Sequence, residues 1–153
     1  IPADDSRTRE KFQELSKVSK LVLISNVPDG MSKNSYVSCV SVNESENGTN
    51  TGRMLGEYCK ENKKKKAGFI IHGAAFYGTR VRDNAAERII KDSYPDIDIV
   101  TIRSFGEISN AYQVAKDVIT ANPEIEAMYQ VEPKQLRLAW KEIFHESMPD
   151  RLR

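Results

Sequence analysis

The residues with the greatest chemical reach lie together in one short stretch. Gly73-Ala74-Ala75-Phe76-Tyr77-Gly78 follows an apolar run, with Arg80 and Arg82 just beyond it. A glycine-rich loop between strand and helix can cradle phosphate, but neither G-x-G-x-x-G nor G-x-x-x-x-G-K-S/T is present. What remains is a loop of small residues carrying two aromatics and followed by two arginines. That set suits a polyhydroxylated ring. An aromatic face covers the apolar C–H side, and a guanidinium fork donates to hydroxyls. The competing reading is that Phe76 and Tyr77 pack the loop while Arg82 pairs with Asp83 or Glu87. On residue types alone the competing reading weighs more.

Other clusters carry less. Lys63-Lys64-Lys65-Lys66, with Lys60 nearby, falls where a helical pattern ends and a strand begins. Cations complement a helix C-terminus, and no aromatic residue interleaves with the run to stack bases. It reads as a solvated helix end, and no nucleic acid is expected as a partner. Cys39 is expected in a strand and Cys59 on a helical apolar face, and His72 and His145 are far from both in sequence. Two buried free thiols are therefore expected, with no metal and no cofactor. Asp4-Asp5 resembles the acidic pair of a phospho-accepting receiver, but the first complete strand ends in Ser25-Asn26, without the phospho-acceptor aspartate that reading needs. No nucleophile motif or acid–base constellation points to an enzyme.

The elements that must position these residues alternate. Apolar runs at 21–25, 36–42, 67–72, 97–103 and 125–130 are short, rich in Val, Ile and aromatics, and mostly bounded by turn signals such as Pro28-Asp29-Gly30 and Pro95-Asp96. Near-continuous apolar character, as in Leu21 to Ile24, is the habit of strands buried on both faces of a parallel sheet. Between them runs a helical period, clearest in Leu136, Ala139, Trp140, Ile143 and Phe144. Thr49 or Asn50 is expected to cap the helix that holds Leu55 and Tyr58, and Ser109 the helix before Pro123. Strand alternating with amphipathic helix at this spacing predicts βαβ units: an α/β fold of open parallel sheets flanked by helices.

Asn43 to Asn50 breaks the rhythm. It is polar, contains Gly48, and has no apolar anchor. It is long for a βα loop, usually about 2–6 residues. A surface excursion and a crossing between two lobes fit it equally well.

Composition sets the outer bounds. The 153 residues are 39% hydrophobic and 29% charged, with a formal net charge of +1 and a mean hydropathy of −0.54. That is enough apolar mass for a core. No run reaches the roughly 18 consecutive apolar residues of a membrane span. The near-zero charge gives no global field toward nucleic acid or an anionic membrane. Ile1-Pro2-Ala3-Asp4-Asp5 reads as the end of a strand entering a loop, so a natural N-terminus further upstream is expected.

Taken in order, the segments resemble the type I periplasmic-binding-protein superfamily, in particular its ribose- and galactose-like sugar-binding branch. Ser19-Lys20-Leu21-Val22-Leu23-Ile24-Ser25-Asn26 is similar to a family strand ending in ligand-contacting polar residues. Tyr36 to Asn43, then Gly52-Arg53-Met54-Leu55-Gly56-Glu57-Tyr58, resembles its strand, hinge crossing and following helix. Phe69-Ile70-Ile71-His72-Gly73 and Arg82-Asp83-Asn84 resemble the strand and arginine-bearing helix of the second lobe. Tyr94 to Val100 and Ala121 to Tyr129 complete the pattern.

The resemblance implies parts of two Rossmann-like lobes: residues 1–42 as the end of the first, 43–50 as a hinge, and 51–153 as the start of the second. It implies that Ser25 and Asn26 contact ligand from the first lobe and that Arg82 takes the place of the ring-hydroxyl-binding arginine. His72, Phe76 and Tyr77 are placed at the cleft mouth, Phe105 in a strand-end loop, and Glu132 beyond the fifth strand. Two departures stand out. The family's Asn-Asp pair after that strand is replaced by Gln130-Val131-Glu132-Pro133, and Glu87 stands near a position usually held by glycine. A two-lobed protein of this kind is also about twice this length. The implied function is non-enzymatic binding of a small sugar or polyol for ABC-type uptake or signalling, read by a membrane permease or a sensor outside the cytoplasm. The alternative is the effector domain of a lactose-repressor-type regulator in the cytoplasm. Weak ligand binding or none by the isolated chain is expected, together with its association with itself or with further segments.

Overall fold

The computed structural model describes residues 6–73, 76–131 and 133–144. In chain order the elements are α1 (Ser6–Ser16), β1 (Val22–Ile24), β2 (Ser38–Val40), α2 (Glu44–Glu61), β3 (Lys66–His72), α3 (Tyr77–Ser93), β4 (Asp98–Phe105), α4 (Ala111–Ala121), β5 (Ala127–Gln130) and α5 (Pro133–Phe144). Short 3-10 turns precede β2 and α4. The strands expected from the apolar runs all form. β1, β2 and β5 are shorter than their runs, and β4 continues to Phe105.

All pairings are parallel. β1 pairs with β2, with Leu23 opposite Cys39 and Ile24 opposite Val40. In the second sheet β3 lies between β4 and β5, with Phe69 opposite Ile102 on one side and Tyr129 on the other. The central strand has the least access to water: Ala67, Phe69 and Ile70 are fully buried. Successive side chains point to opposite faces, so β3 feeds two cores. Ile70 joins Met128, Phe105, Ala115, Val118 and Leu136 under α4 and α5. Phe69 joins Tyr129, Ala86, Ile90, Leu55 and Cys59 under α2 and α3. This is the α/β layering read from the sequence.

The segment Asn43–Asn50 corrects the expectation of an extended crossing. It is the N-cap and first two turns of α2. Asn43 Oδ1 accepts from the Glu46 backbone N–H at 3.1 Å, and Asn43 Nδ2 donates to Glu46 Oε2 at 3.0 Å. Glu44 and Glu46 in the first turn complement the positive end of the helix dipole. The cap is therefore Asn43, not Thr49 or Asn50. Likewise α4 starts after Asn110, with Ser109 inside the preceding 3-10 turn.

Glycine replaces the apolar anchor that this stretch lacks. Gly48, Gly52 and Gly56 recur every fourth residue and form the buried stripe of α2 facing α3. A Cβ at Gly48 would overlap the Arg82 carbonyl. One at Gly52 would overlap Ile89 and lie 2.7 Å from the Ala86 carbonyl oxygen, and one at Gly56 would enter the Tyr94 ring. The two helix backbones approach closely because no side chain separates them.

The lysine run ends α2, as its sequence position indicates. Lys63 adopts φ 56°, Lys63 N–H donates to Lys60 O, and Lys64 N–H to Cys59 O at 2.7 Å, the left-handed closure of a helix C-terminus. Lys64 then pairs with Glu126 at 3.5 Å.

Candidate functional site

In open parallel sheets, ligands gather beyond the carboxyl ends of the strands. Here those ends meet the N-terminal turns of α2 and α3. A cavity of about 380 Å3 opens there, lined by Ser25, Ser41, Val42, Asn43, Glu44, Ser45, Tyr77 and Val81. Three elements build it: the end of β1, the β2–α2 junction and the first turns of α3.

Ser25 is held at the cavity by its backbone. Its N–H donates to Val40 O at 2.8 Å, and it adopts φ 85°, a left-handed conformation that is strained for a residue with a Cβ. Asn26, next to it, is buried. Tyr77 opens α3 and is 37% exposed. The Arg80 guanidinium lies 5.8 Å from the Tyr77 ring centre and 3.4 Å from Asp29 in the loop after β1. Arg82 pairs with neither Asp83 nor Glu87. Its Nε donates to Glu44 Oε2 at 2.9 Å, joining α3 to the first residue of α2.

His72, Phe76 and Phe105 form a second cluster, at the ends of β3 and β4. The imidazole is sandwiched between Phe76, with ring centres 4.6 Å apart, and Phe105, at 5.1 Å. His72 Nε2 lies 3.1 Å from Gly106 O, so this nitrogen carries the hydrogen. Phe105 is only 2% exposed. It forms the floor of the stack, leaving its neighbours to face outward. Glu132 lies outside the described residues.

A buried carboxylate joins the end of β3 to β5 beside the second cluster. Asp83, 2% exposed, accepts from the His72 backbone N–H at 3.2 Å and from the Tyr129 phenol at 2.8 Å. Burial pushes its carboxyl up to about 6, against the opposing pull of these two hydrogen bonds and of Arg82. The Tyr129 phenol is raised as well, first by burial and then by the Asp83 charge. Asp83 thus fixes the second turn of α3 against the ends of β3 and β5.

Of the residues named by the sequence reading, the structure puts Ser25 and Tyr77 at one cavity and His72, Phe76 and Phe105 in one stack; that reading did not group them so. It missed Glu44, Ser41, Ser45 and Asp83. The signal for the first three was present, since Asn43-x-x-Glu46 is a helix-start pattern that moves α2 back to Glu44. For Asp83 no local signal exists, because its partner Tyr129 is 46 residues away.

A larger cavity of about 420 Å3 lies where β3 and β4 begin, among Cys59, Lys63, Lys64, Lys65, Tyr94 and Asp96. It faces the C-terminal ends of α2 and α3, and its lysines complement those helix ends. Among the described residues no group of His, Cys, Asp and Glu is arranged to hold a metal ion.

The fold is similar to that of several solved solute-binding proteins of sugar transport systems. A carbohydrate transporter solute-binding protein from Agrobacterium radiobacter, solved with D-arabinose, matches with a TM-score of 0.77 at 18% identity, over 87% of this chain and 46% of its own. An ABC transporter periplasmic solute-binding protein from Actinobacillus succinogenes, solved with D-allose, matches with a TM-score of 0.72 at 20% identity, over 88% of this chain and 50% of its own. The XylFII–LytSN complex matches with a TM-score of 0.73 at 15% identity, over 92% and 52%. The chain therefore spans about half the length of these structures. No protein-family model and no curated protein matches the sequence.

Proposed function

We propose that this chain forms part of a solute-binding module that holds a small sugar or polyol, without chemical change, at its strand ends. The observation that carries the reading is the hydroxyl-lined cavity of Ser25, Ser41, Ser45 and Tyr77 at the carboxyl ends of parallel strands. The fold supports it, because similar structures were solved with D-arabinose and D-allose bound. In this reading Ser25 and Tyr77 contact the ligand directly, Asn26 backs the strand end, and Arg82 acts through Glu44. Phe76 and His72 offer an aromatic edge over Phe105, and Glu132 is a further contact from the β5–α5 connection.

Binding is read by a membrane permease or a sensor outside the cytoplasm. Support comes from the neighbours, which include periplasmic ABC transport components and the XylFII–LytSN complex. The repressor alternative is not favoured, because several of the structures that match are solute-binding proteins. A cavity enclosed from one side leaves ligand hydroxyls solvated, so the isolated chain binds at roughly millimolar strength. It also self-associates through the β1–β2 sheet, where Val22, Ile24 and Val40 share one exposed face and Ile24 is 78% exposed.

Heteronuclear NMR titration with D-arabinose, D-allose and D-galactose tests the reading. Saturable shifts at Ser25, Ser45 and Tyr77 are expected. No saturable response, or one confined to the Lys63–Tyr94 end, overturns it.

A further inference from the structure

Glu44, not Arg82, is the charged residue that lines the cavity. It is the first residue of α2, with a side chain 14% exposed against 32% for Arg82. Its Oε2 is engaged by Arg82 Nε at 2.9 Å. Its Oε1 sits beside Gly78, where a Cβ would come within 3.1 Å. The Asn43 amide is committed to capping through Glu46. The other polar groups on the lining are the hydroxyls of Ser25, Ser41, Ser45 and Tyr77.

On the sugar-binding reading, we propose that Glu44 sets the charge selectivity of this cavity, accepting a hydroxyl of a neutral sugar while excluding sugar acids. A ligand carboxylate would bring a second negative charge against Glu44 in a partly desolvated site, where like charges repel more strongly than in water. The cation paired with Glu44, Arg82, already serves it. A neutral hydroxyl meets no such repulsion and donates to a carboxylate oxygen in a charge-assisted bond. The selectivity is invertible. Without the Glu44 charge, the Arg82 fork and the positive end of α2 both favour an anion.

D-galactose and D-galacturonate differ by one carboxylate and make a matched pair of probes. Both are titrated by NMR into the wild-type chain, Glu44→Gln and Arg82→Gln, with thermal melts confirming that each variant folds. Wild type is expected to prefer galactose. In Glu44→Gln the ratio should shift toward galacturonate by about tenfold. Arg82→Gln leaves Glu44 charged and unpaired, so it should weaken galactose binding and lower galacturonate binding further, moving the ratio toward galactose. An unchanged ratio in folded Glu44→Gln overturns the proposal. So does an Arg82→Gln chain that takes galacturonate as readily as galactose, an arm that decides the matter even if Glu44→Gln does not fold. A wild-type chain that responds to neither sugar overturns the sugar-binding reading itself.

Discussion

Asp83 gives a prediction with a definite sign. Its carboxylate is nearly sealed from water and serves two donors, the His72 N–H and the Tyr129 phenol. Burial still outweighs both and moves its titration from the ordinary 3.8 to about 6. The native state therefore holds this proton more tightly than the unfolded chain does. The stability it contributes is fully present below pH 3.8 and is lost as pH rises through about 6. The size of the effect is about 2 kcal/mol between pH 4 and pH 7. Asp83→Asn removes the titration and keeps the contacts, since an amide oxygen accepts from His72 N–H while the amide nitrogen donates to the Tyr129 oxygen. Urea denaturation of both proteins, followed by circular dichroism from pH 4 to 8, gives the difference in stability at each pH. Other carboxylates, Glu126 among them, titrate in both proteins and cancel. The variant should gain on wild type steadily as pH rises and level off above about 7. A difference that stays flat across this range, or one that favours wild type more at high pH, refutes the argument that burial dominates at Asp83.

Three further outcomes follow from the packing. Gly52→Ala should lower stability by about 1–2 kcal/mol in thermal denaturation, although alanine's helix preference alone would raise it by about 1 kcal/mol, because the new Cβ meets Ile89 and the Ala86 carbonyl. Asn43→Ala should cost about 1 kcal/mol in the same assay, by leaving the Glu46 N–H without its side-chain acceptor. The Cys59 thiol is fully buried and pushed up to about 11 by that burial, whereas Cys39 is only half-buried. A chromogenic thiol reagent at pH 8 should therefore titrate Cys39 in the native chain and reach Cys59 only on unfolding.

The strands were legible because burial on both faces leaves an unmistakable mark. Phe69-Ile70-Ile71 and Ala127-Met128-Tyr129 are apolar without alternation, and only a covered parallel strand tolerates that. The helix starts were less legible. Asn43 to Asn50 contains no aliphatic residue, so hydrophobic periodicity has nothing to register there. Its packing surface is the absence of side chains at Gly48 and Gly52, and a search for apolar stripes passes over such a surface. Capping chemistry, Asn43 with Glu46, was the signal to follow. The pairing of Arg82 was hidden for a different reason. Asp83 and Glu87 are its neighbours in sequence, but Asp83 turns inward to Tyr129 and Glu87 pairs with Lys91.

The glycine stripe and the charged pair are two consequences of one arrangement. Arg82 Nε reaches Glu44 only because α2 and α3 run close enough at their N-terminal ends for Gly48 to touch the Arg82 backbone. A side chain at Gly48 would push Arg82 away from α2 and lengthen the 2.9 Å bond to Glu44. The spacing that stabilises the helix pair thus also decides whether the cavity meets a paired or an isolated carboxylate. Gly48→Ala provides a separate test, because it changes neither charge. It should weaken galactose binding and also raise the rate at which the Arg82 side-chain Nε–H exchanges with water. Galactose affinity and Nε–H exchange both unchanged in a folded Gly48→Ala chain would show that helix spacing and the charged pair are independent.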